Sequence, residues 1–257
     1  MEIILVGAGR LATNLGRALK DKQHCIKAVY SRTMSSAEAL AKQVDAMPTD
    51  DLTRLPLQAD AYIIAVKDAV LSDVIPSLCK GREDQVFFHT AGSMPLSVFQ
   101  NHAQHYGVFY PMQSFSKERQ VDFSGIPIFL ESSDEKSKTL ARTLAESISQ
   151  QIFELSTADR RHLHLAAVFA CNFANHCFAL SAKVLEKHGL PFNVMLPLID
   201  ETAGKAHSMH PRNAQTGPAI RWDENVINAQ KALLADEPEM QQIYDLMSKS
   251  IHKLAND

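Results

Sequence analysis

A glycine-rich segment, Gly7-Ala8-Gly9-Arg10-Leu11-Ala12, directly follows the apolar residues Ile3–Val6 and opens a helical pattern. Gly7 permits a tight turn, Gly9 lets a phosphate approach the backbone without an intervening Cβ, and Ala12 allows close helix packing. Short glycine loops also occur by chance, but a position between a strand and a helix is what the dinucleotide-binding fingerprint requires. The predicted phosphate-binding residues are Gly7, Gly9, Arg10, Leu11 and Ala12.

The second predicted strand ends in Tyr30-Ser31-Arg32-Thr33 and carries no acid there. NAD-binding domains usually place an acid about 20 residues after the glycine loop, where it binds the ribose 2′-hydroxyl. A guanidinium between two hydroxyls suits a 2′-phosphate instead; the alternative is an exposed loop arginine without a ligand. We therefore expect NADP, bound in part by Ser31, Arg32 and Thr33.

Two further loops follow apolar strands, at the edge where a doubly wound sheet binds its ligands. Ala65-Val66-Lys67-Asp68 forms the first, which we expect to lie against the adenosine or pyrophosphate through Ala65, Val66 and Lys67 unless it is a plain turn. His89-Thr90-Ala91-Gly92-Ser93 forms the second, where the nicotinamide end belongs. His89 and Ser93 are therefore candidates for proton donation; the alternative is that His89 caps the loop backbone.

The next strand ends in Tyr110-Pro111-Met112-Gln113-Ser114-Phe115. Tyr110 is a candidate proton donor, and Gln113 and Ser114 are candidate polar anchors for a substrate. Proline and the aromatic side chains could instead simply shape the turn.

Short β-branched runs alternate with helical patterns up to residue 156, which predicts βαβ units and an α/β fold, a doubly wound, mostly parallel Rossmann sheet. The predicted strands are Glu2–Val6, Cys25–Tyr30, Ala61–Ala65, Gln85–His89, Gly107–Tyr110, Ile126–Leu130 and Gln151–Leu155. The predicted helices of this domain are Leu11–Lys20, Ser35–Val44, Val70–Leu78 and Pro95–Asn101. From 157 to 257 the pattern is helical, which predicts an all-α second domain.

The second domain begins with a long helical pattern over 159–188, followed by helices near 193–207, 223–234 and 238–255. His164, Val168 and Asn172 are four residues apart and therefore share one helix face. Polar residues among so many apolar ones must find partners, so His164 and Asn172 are candidate catalytic residues. Core residues that bond the backbone are the alternative. Arg221, in a turn further on, is a candidate carboxylate- or phosphate-binding residue, or a partner of Asp223 or a helix cap.

Composition excludes several classes of protein. The 257 residues are 46% hydrophobic and 21% charged, with a net charge of −3 and no basic patch, which argues against nucleic-acid binding. No apolar run reaches the roughly 20 residues of a membrane span. The four cysteines form no CxxC pair, so we expect buried thiols in the cytoplasm, and no metal site is predicted.

Together these segments resemble a family of Rossmann-like NADP-binding oxidoreductases with a C-terminal helical domain of unknown function. This family is related to pyrroline-5-carboxylate reductase and to the 6-phosphogluconate and β-hydroxyacid dehydrogenases. The similar segments are the glycine loop, residues 31–33, 89–93, 110–115, 164–172 and 216–223. The resemblance implies a homodimer formed through the helical domain, and a loop around Arg221 that completes the partner's cleft.

Two positions depart from the family pattern. Tyr110-Pro111 stands where the family usually has His-Pro. β-Hydroxyacid dehydrogenases carry a lysine four residues before an asparagine; if Asn172 is that asparagine, the lysine position holds Val168. Valine cannot transfer a proton, so the lysine-based alcohol oxidation does not carry over, which favours an imine reductase.

Two functions follow from these observations. The first is an NADPH-dependent reductase of a small ketone, imine or acid, with its reaction at the interdomain cleft and hydride transfer as the cofactor's own chemistry. The second is a non-catalytic NADP-binding sensor or regulatory protein.

Overall fold

The computed structural model describes residues 1–256, and its N-terminal part contains an eight-stranded sheet in the order β3-β2-β1-β4-β5-β6-β7-β8. Its strands are β1 (Glu2–Val6), β2 (Cys25–Tyr30), β3 (Met47–Thr49), β4 (Ala61–Ile64), β5 (Val86–His89), β6 (His105–Pro111), β7 (Ile128–Ser132) and β8 (Ile152–Glu154). Neighbouring strands are parallel except for the antiparallel pair β6–β7. The first six strands in space follow the order of dinucleotide-binding folds, which confirms the predicted Rossmann domain.

The helices of this part are α1 (Arg10–Asp21), α2 (Met34–Val44), α3 (Asp68–Cys79) and α4 (Glu135–Ile148). Sequence analysis missed β3 and α4. Helix α4 begins with a capping box formed by Asp134 and Ser137, a signal that was present in the sequence, whereas β3 is too short to show a pattern. The predicted helix Pro95–Asn101 is only a 3₁₀ turn, Leu96–Phe99.

The sheet is covered by apolar side chains on both faces. Successive β1 side chains point to opposite faces: Ile3 and Leu5 join one apolar cluster, and Ile4 and Val6 join the other. All four are fully buried. Strands covered in this way are continuously apolar, and their carboxyl ends are held rigidly at one edge of the sheet.

The C-terminal part is helical within the described residues. A continuous helix runs through α5 (Thr157–Ala167), a π-helical segment (Val168–Phe173) and α6 (Ala174–Lys187). It is followed by α7 (Leu196–Ser208), α8 (Pro211–Ala214), α9 (Pro218–Arg221), α10 (Glu224–Ala232) and α11 (Pro238–Asn256). The π-helical turn is wider than an α-turn, so it interrupts the four-residue spacing on which the shared face of His164, Val168 and Asn172 was predicted.

Two compact units divide the chain, Met1–Cys171 and Asn172–Asp257. The first domain was predicted to end at residue 156, just before the long helix. The two units instead divide inside that helix, between Cys171 and Asn172. The reason is that α5 contacts the sheet: Arg160 pairs with Glu131 of β7, and His164 bonds Tyr110 of β6.

The long helix Thr157–Lys187 bears on the expectation that no segment is long and apolar enough to span a membrane. It is long and apolar enough to cross a membrane, and none of the residues in its most apolar 18-residue stretch is fully buried. No single run in the sequence is that long, because histidines and asparagines interrupt it. Length and composition alone do not distinguish a membrane span from a helix that packs against a partner.

The expectation of buried thiols holds for Cys79 alone, since Cys25, Cys171 and Cys177 are exposed and all four are free. Burial of Cys79 raises its pKa to about 12. This side chain is therefore an apolar packing group and not a nucleophile.

Candidate functional site

The turn at Gly7 brings the ends of three strands together. Its φ of +121° is one that side chains rarely adopt, and an added Cβ would lie 2.3 Å from the carbonyl oxygen of Ala65. Its N–H donates to the Tyr30 carbonyl at 2.8 Å. Gly7 is therefore required by the fold, because no side chain fits between β1 and the loop after β4.

Gly9 is different, because an added Cβ would meet no described atom within 4 Å. Gly9 is the N-cap of α1, and no described side chain caps this helix. The first amides of α1 thus face open space at the positive end of the helix dipole. This cradle fits a pyrophosphate, as the sequence predicted for the segment up to Ala12.

The other predicted cofactor-binding residues lie beyond the carboxyl ends of β2 and β4. Arg32 is exposed and forms no salt bridge with a described residue, while the Thr33 hydroxyl donates to Ser36 Oγ at 2.9 Å. Lys67 is exposed at the start of α3. An unpaired guanidinium at this edge fits a phosphate on the adenosine ribose. The roles of these residues remain predictions.

Tyr110 and His164 form the central pair of the candidate active site. The Tyr110 hydroxyl lies 3.0 Å from Nδ1 of His164, although the two residues are far apart in the chain. Tyr110 lies next to the last residue of a buried strand and is 9% exposed, and His164 is half-buried. Gly92 packs directly against both, since an added Cβ would lie 2.6 Å from His164 Nδ1 and 3.0 Å from Tyr110 Cζ. Only glycine lets the loop after β5 approach this pair so closely.

The electrostatics of this region keep Tyr110 protonated. Burial raises the pKa of the Tyr110 hydroxyl above its ordinary value; the Arg160 charge partly opposes this, and the Asp68 carboxylate adds to it. The hydroxyl therefore remains neutral at physiological pH. It can donate one hydrogen bond and accept another, which is the requirement for a proton donor.

Ser93 contacts the carboxylate of Asp68, to which the sequence analysis assigned no catalytic role. Its hydroxyl donates a short hydrogen bond to Asp68 at the start of α3, and its carbonyl oxygen accepts from Nε of Arg161 at 3.0 Å. The signal for Asp68 was its position directly after Lys67, at the carboxyl edge of the sheet. Ser93 is thus linked to a negative charge that also acts on Tyr110.

His89 does not join this pair, which corrects its assignment as a candidate proton donor. Its side chain is fully buried, its Nδ1 accepts from the Ala91 N–H at 3.2 Å, and its ring stacks on Phe99. Burial, and secondly the Arg160 charge, lower the pKa of His89 to about 3, which the Pro95 backbone opposes only in part. A neutral, enclosed imidazole supports the loop backbone, as the alternative interpretation of the sequence held.

This burial predicts acid sensitivity. The unfolded chain takes up a proton at His89 below its ordinary pKa of 6.5, whereas the folded protein does so only near pH 3. The free energy of unfolding should therefore fall as the pH drops from 6.5, by at most about 1.4 kcal/mol per pH unit from this group. Denaturant unfolding of the wild type and of His89→Gln between pH 7 and pH 4 checks this. Equal slopes for the two proteins would contradict it.

The structure gives the local surroundings of four further predicted residues, Gln113, Ser114, Asn172 and Arg221. Gln113 and Ser114 are exposed, and Gln113 Oε1 accepts from the Ser114 N–H at 2.8 Å. Asn172 lies in the π-helical segment, and exposed Arg221 ends α9. Asp223 caps α10 and forms no salt bridge with Arg221 among the described residues. The proposed roles of these four side chains remain predictions.

A buried ion pair beside the site also escaped the sequence analysis. Arg160 is 1% exposed and pairs with Glu131. In the sequence it is one of two adjacent arginines at the start of a helix, where an exposed charge is the usual expectation. Within residues 1–256, no group of three or more His, Cys, Asp or Glu side chains could hold a metal ion.

Two family models match the chain: a Rossmann-like domain at residues 1–110 and a domain of unknown function, DUF2520, at residues 126–251. A crystal structure from Bacteroides fragilis, described as a candidate NADP oxidoreductase, shares 50% sequence identity. It has a TM-score of 0.95, and the match covers 98% of both chains.

Two more distant structures share the fold. An imine reductase from Myxococcus stipitatus, in complex with NADP⁺, is 15% identical with a TM-score of 0.72, over 100% of this chain and 94% of that one. A 1-pyrroline-5-carboxylate reductase from Streptococcus pyogenes is 16% identical with a TM-score of 0.64, over 98% of each chain. No curated protein matched the sequence.

Proposed function

Because the chain belongs to the NADP oxidoreductase family that joins a Rossmann-like domain to DUF2520, we propose that it is an NADPH-dependent reductase of a small molecule. The substrate carries a carbon–nitrogen or carbon–oxygen double bond. The hydrogen bond between Tyr110 Oη and His164 Nδ1 carries this proposal, because it places a protonated donor next to the loop where the nicotinamide end is expected.

NADPH, when bound, supplies the hydride to the substrate carbon. The backbone amides after Gly9 hold its pyrophosphate, and Arg32 binds its 2′-phosphate. Tyr110 holds the proton at Oη and delivers it to the substrate nitrogen or oxygen. His164 Nδ1, 3.0 Å away, then returns a proton to Tyr110. The imidazole of His164 is half-buried and therefore still reaches solvent, which replaces the proton that His164 gives up.

Among the possible substrates we favour an imine. Val168 has no ionisable group, so the lysine-based oxidation of an alcohol has no counterpart at this position. The Asp68 carboxylate contacts Ser93 and acts on Tyr110, and a negative charge beside the site stabilises an iminium cation more than a neutral ketone. The imine reductase of the same fold supports this choice.

A panel of cyclic imines, imino acids and 2-keto acids tests the proposal. Purified protein with NADPH should oxidise the cofactor in the presence of at least one imine, with amine formed in equal amount. Tight NADPH binding without turnover of any member would count against the reductase and favour the sensor interpretation.

Arg32→Ala gives a prediction about cofactor choice. Loss of charge-assisted hydrogen bonds to the 2′-phosphate, worth about 1.5–3 kcal/mol, should raise the Kd for NADPH about 10- to 100-fold. The Kd for NADH, which lacks that phosphate, should hardly change and serves as the internal control. Isothermal titration with both cofactors measures the effect. Equal weakening of the two would show that Arg32 does not recognise the phosphate.

We further propose that the protein acts as a homodimer through its helical part. The second compact unit buries few large apolar side chains of its own, whereas Leu198, Leu233, Leu246 and Leu254 are more than half exposed. Leu198 lies on α7, Leu233 directly follows α10, and Leu246 and Leu254 lie on α11, so the exposed apolar surface is not confined to the long helix. A second copy presents the same apolar faces in return, as a twofold interface requires.

Sedimentation velocity tests the dimer. The wild type should sediment as a dimer, and Leu246→Glu with Leu254→Glu should sediment as a monomer. Gln242→Glu, on the same helix, is the matched control and should remain dimeric. A monomeric wild type, or one that sediments only with added lipid vesicles, would overturn the proposal.

We place this activity in the cytoplasm. The four cysteines are all free, and three of them are exposed, which suits a reducing compartment.

A further inference from the structure

Arg160 is the largest fully buried side chain of the described protein. Its guanidinium pairs with Glu131, and Nη2 donates to the Met94 carbonyl at 2.5 Å and to Thr157 Oγ1 at 3.4 Å. Nε has no partner among the described residues. Burying an ion pair costs desolvation free energy and adds little net stability. We therefore look for the role of this pair in the elements that it holds together.

The pair joins three elements that carry the site. Glu131 lies on β7, next to the strand that bears Tyr110, and also accepts the Thr157 N–H at 2.9 Å. Met94 directly follows Ser93 in the loop whose Gly92 packs against the proton-donating pair. Arg160 itself lies one turn before His164 on the same face of α5. The ion pair therefore fixes the rotation of α5 that presents His164 to Tyr110.

We propose that the buried Arg160–Glu131 pair is the positioning device of the active site. It holds the imidazole of His164 and the loop of Ser93 at the Tyr110 hydroxyl. Arg160 and Glu131 are thus positioning residues, which act through Tyr110 and do not touch the substrate. This inference rests on the proposed role of Tyr110 as proton donor.

The charges around Tyr110 give a readout that does not depend on activity. Arg160 lowers the pKa of the Tyr110 hydroxyl, while burial and Asp68 raise it, and His164 bonds the hydroxyl itself. Removing the cation should raise this pKa further. Removing only the Glu131 anion leaves the cation uncompensated and should lower it. A purely structural role predicts no such opposite response.

The experiment compares two variants with the wild type. One is the double variant that combines Arg160→Met and Glu131→Leu, and the other is the single variant Glu131→Gln. The double variant removes both charges, so that neither is left buried and unpaired. Tyrosine labelled with ¹³C at Cζ reports the pKa of Tyr110 by NMR. We expect the pKa of Tyr110 to rise in the double variant, because the Arg160 cation that lowers it is gone, and to fall in Glu131→Gln, where that cation is left unpaired. In the double variant kcat should fall about 10- to 100-fold, with an unchanged Kd for NADPH.

Lys27→Met combined with Glu2→Leu is the matched control, because this solvent-accessible pair joins β2 to β1 and makes no described contact with Tyr110, His164 or Arg160. It should leave the Tyr110 pKa and kcat unchanged. A double variant with wild-type kcat and Tyr110 pKa would overturn the inference. If the double variant does not fold, an unchanged Tyr110 pKa in Glu131→Gln overturns it. If the wild type reduces no substrate, the proposed function fails, and the Tyr110 titrations still decide the positioning role.

Discussion

Gly9→Val should abolish tight NADPH binding while the protein stays folded. The backbone of Gly9 is extended, and an added Cβ meets no described atom within 4 Å, so a Cβ at this position causes no collision within the protein. The same side chain would fill the space above the first amides of α1. Loss of two or more hydrogen bonds to a charged phosphate costs about 3 kcal/mol or more, which raises the Kd at least about 100-fold.

Fluorescence titration with NADPH and thermal unfolding without cofactor measure the two quantities separately. Gly125→Val is the matched control, because that glycine also has open space around it and lies in the same compact unit. Its affinity and Tm should both equal those of the wild type. Gly7→Ala should instead lower the Tm, because its Cβ would collide with the Ala65 carbonyl. Wild-type NADPH affinity in Gly9→Val would exclude this loop as the pyrophosphate site.

Tyr110→Phe should have the largest effect on turnover. The change removes the hydroxyl and its bond to His164 but keeps the ring that packs against Phe129. General acid catalysis contributes about 10²- to 10⁴-fold to a rate, so kcat should fall by that factor, with an unchanged Kd for NADPH. Because the pKa of Tyr110 is raised, wild-type activity should not decline through ionisation of this group until the pH exceeds about 10.

Tyr106→Phe is the control for this change, since Tyr106 lies on the same strand and packs against Phe99. Single-turnover oxidation of NADPH, monitored at 340 nm with the best imine of the panel, compares the two variants. If Tyr110→Phe retained the wild-type single-turnover rate, the proton would have to come from another group.

The Rossmann sheet was predictable from the sequence alone, because its signals are local. Continuous apolar runs such as Ile3–Val6 indicate strands buried on both faces, and the glycine loop requires only neighbouring residues to define its turn. The same locality made Arg32 recognisable, since the missing acid and the guanidinium lie at one strand end. Helix α4 also had a local signal, the cap formed by Asp134 and Ser137.

Which polar side chains contact one another could be seen only in the folded protein. The sequence analysis made His89, Tyr110 and His164 equal candidates for catalysis, because all three lie at element ends or among apolar residues. Burial separates them: the sheet encloses His89 and stacks it on Phe99, while Tyr110 and His164 approach within 3.0 Å across the β6–α5 contact. The pairing of Arg160 with Glu131 arises in the same way. Contacts between distant segments depend on packing, and packing leaves no mark in the spacing of residues along the chain.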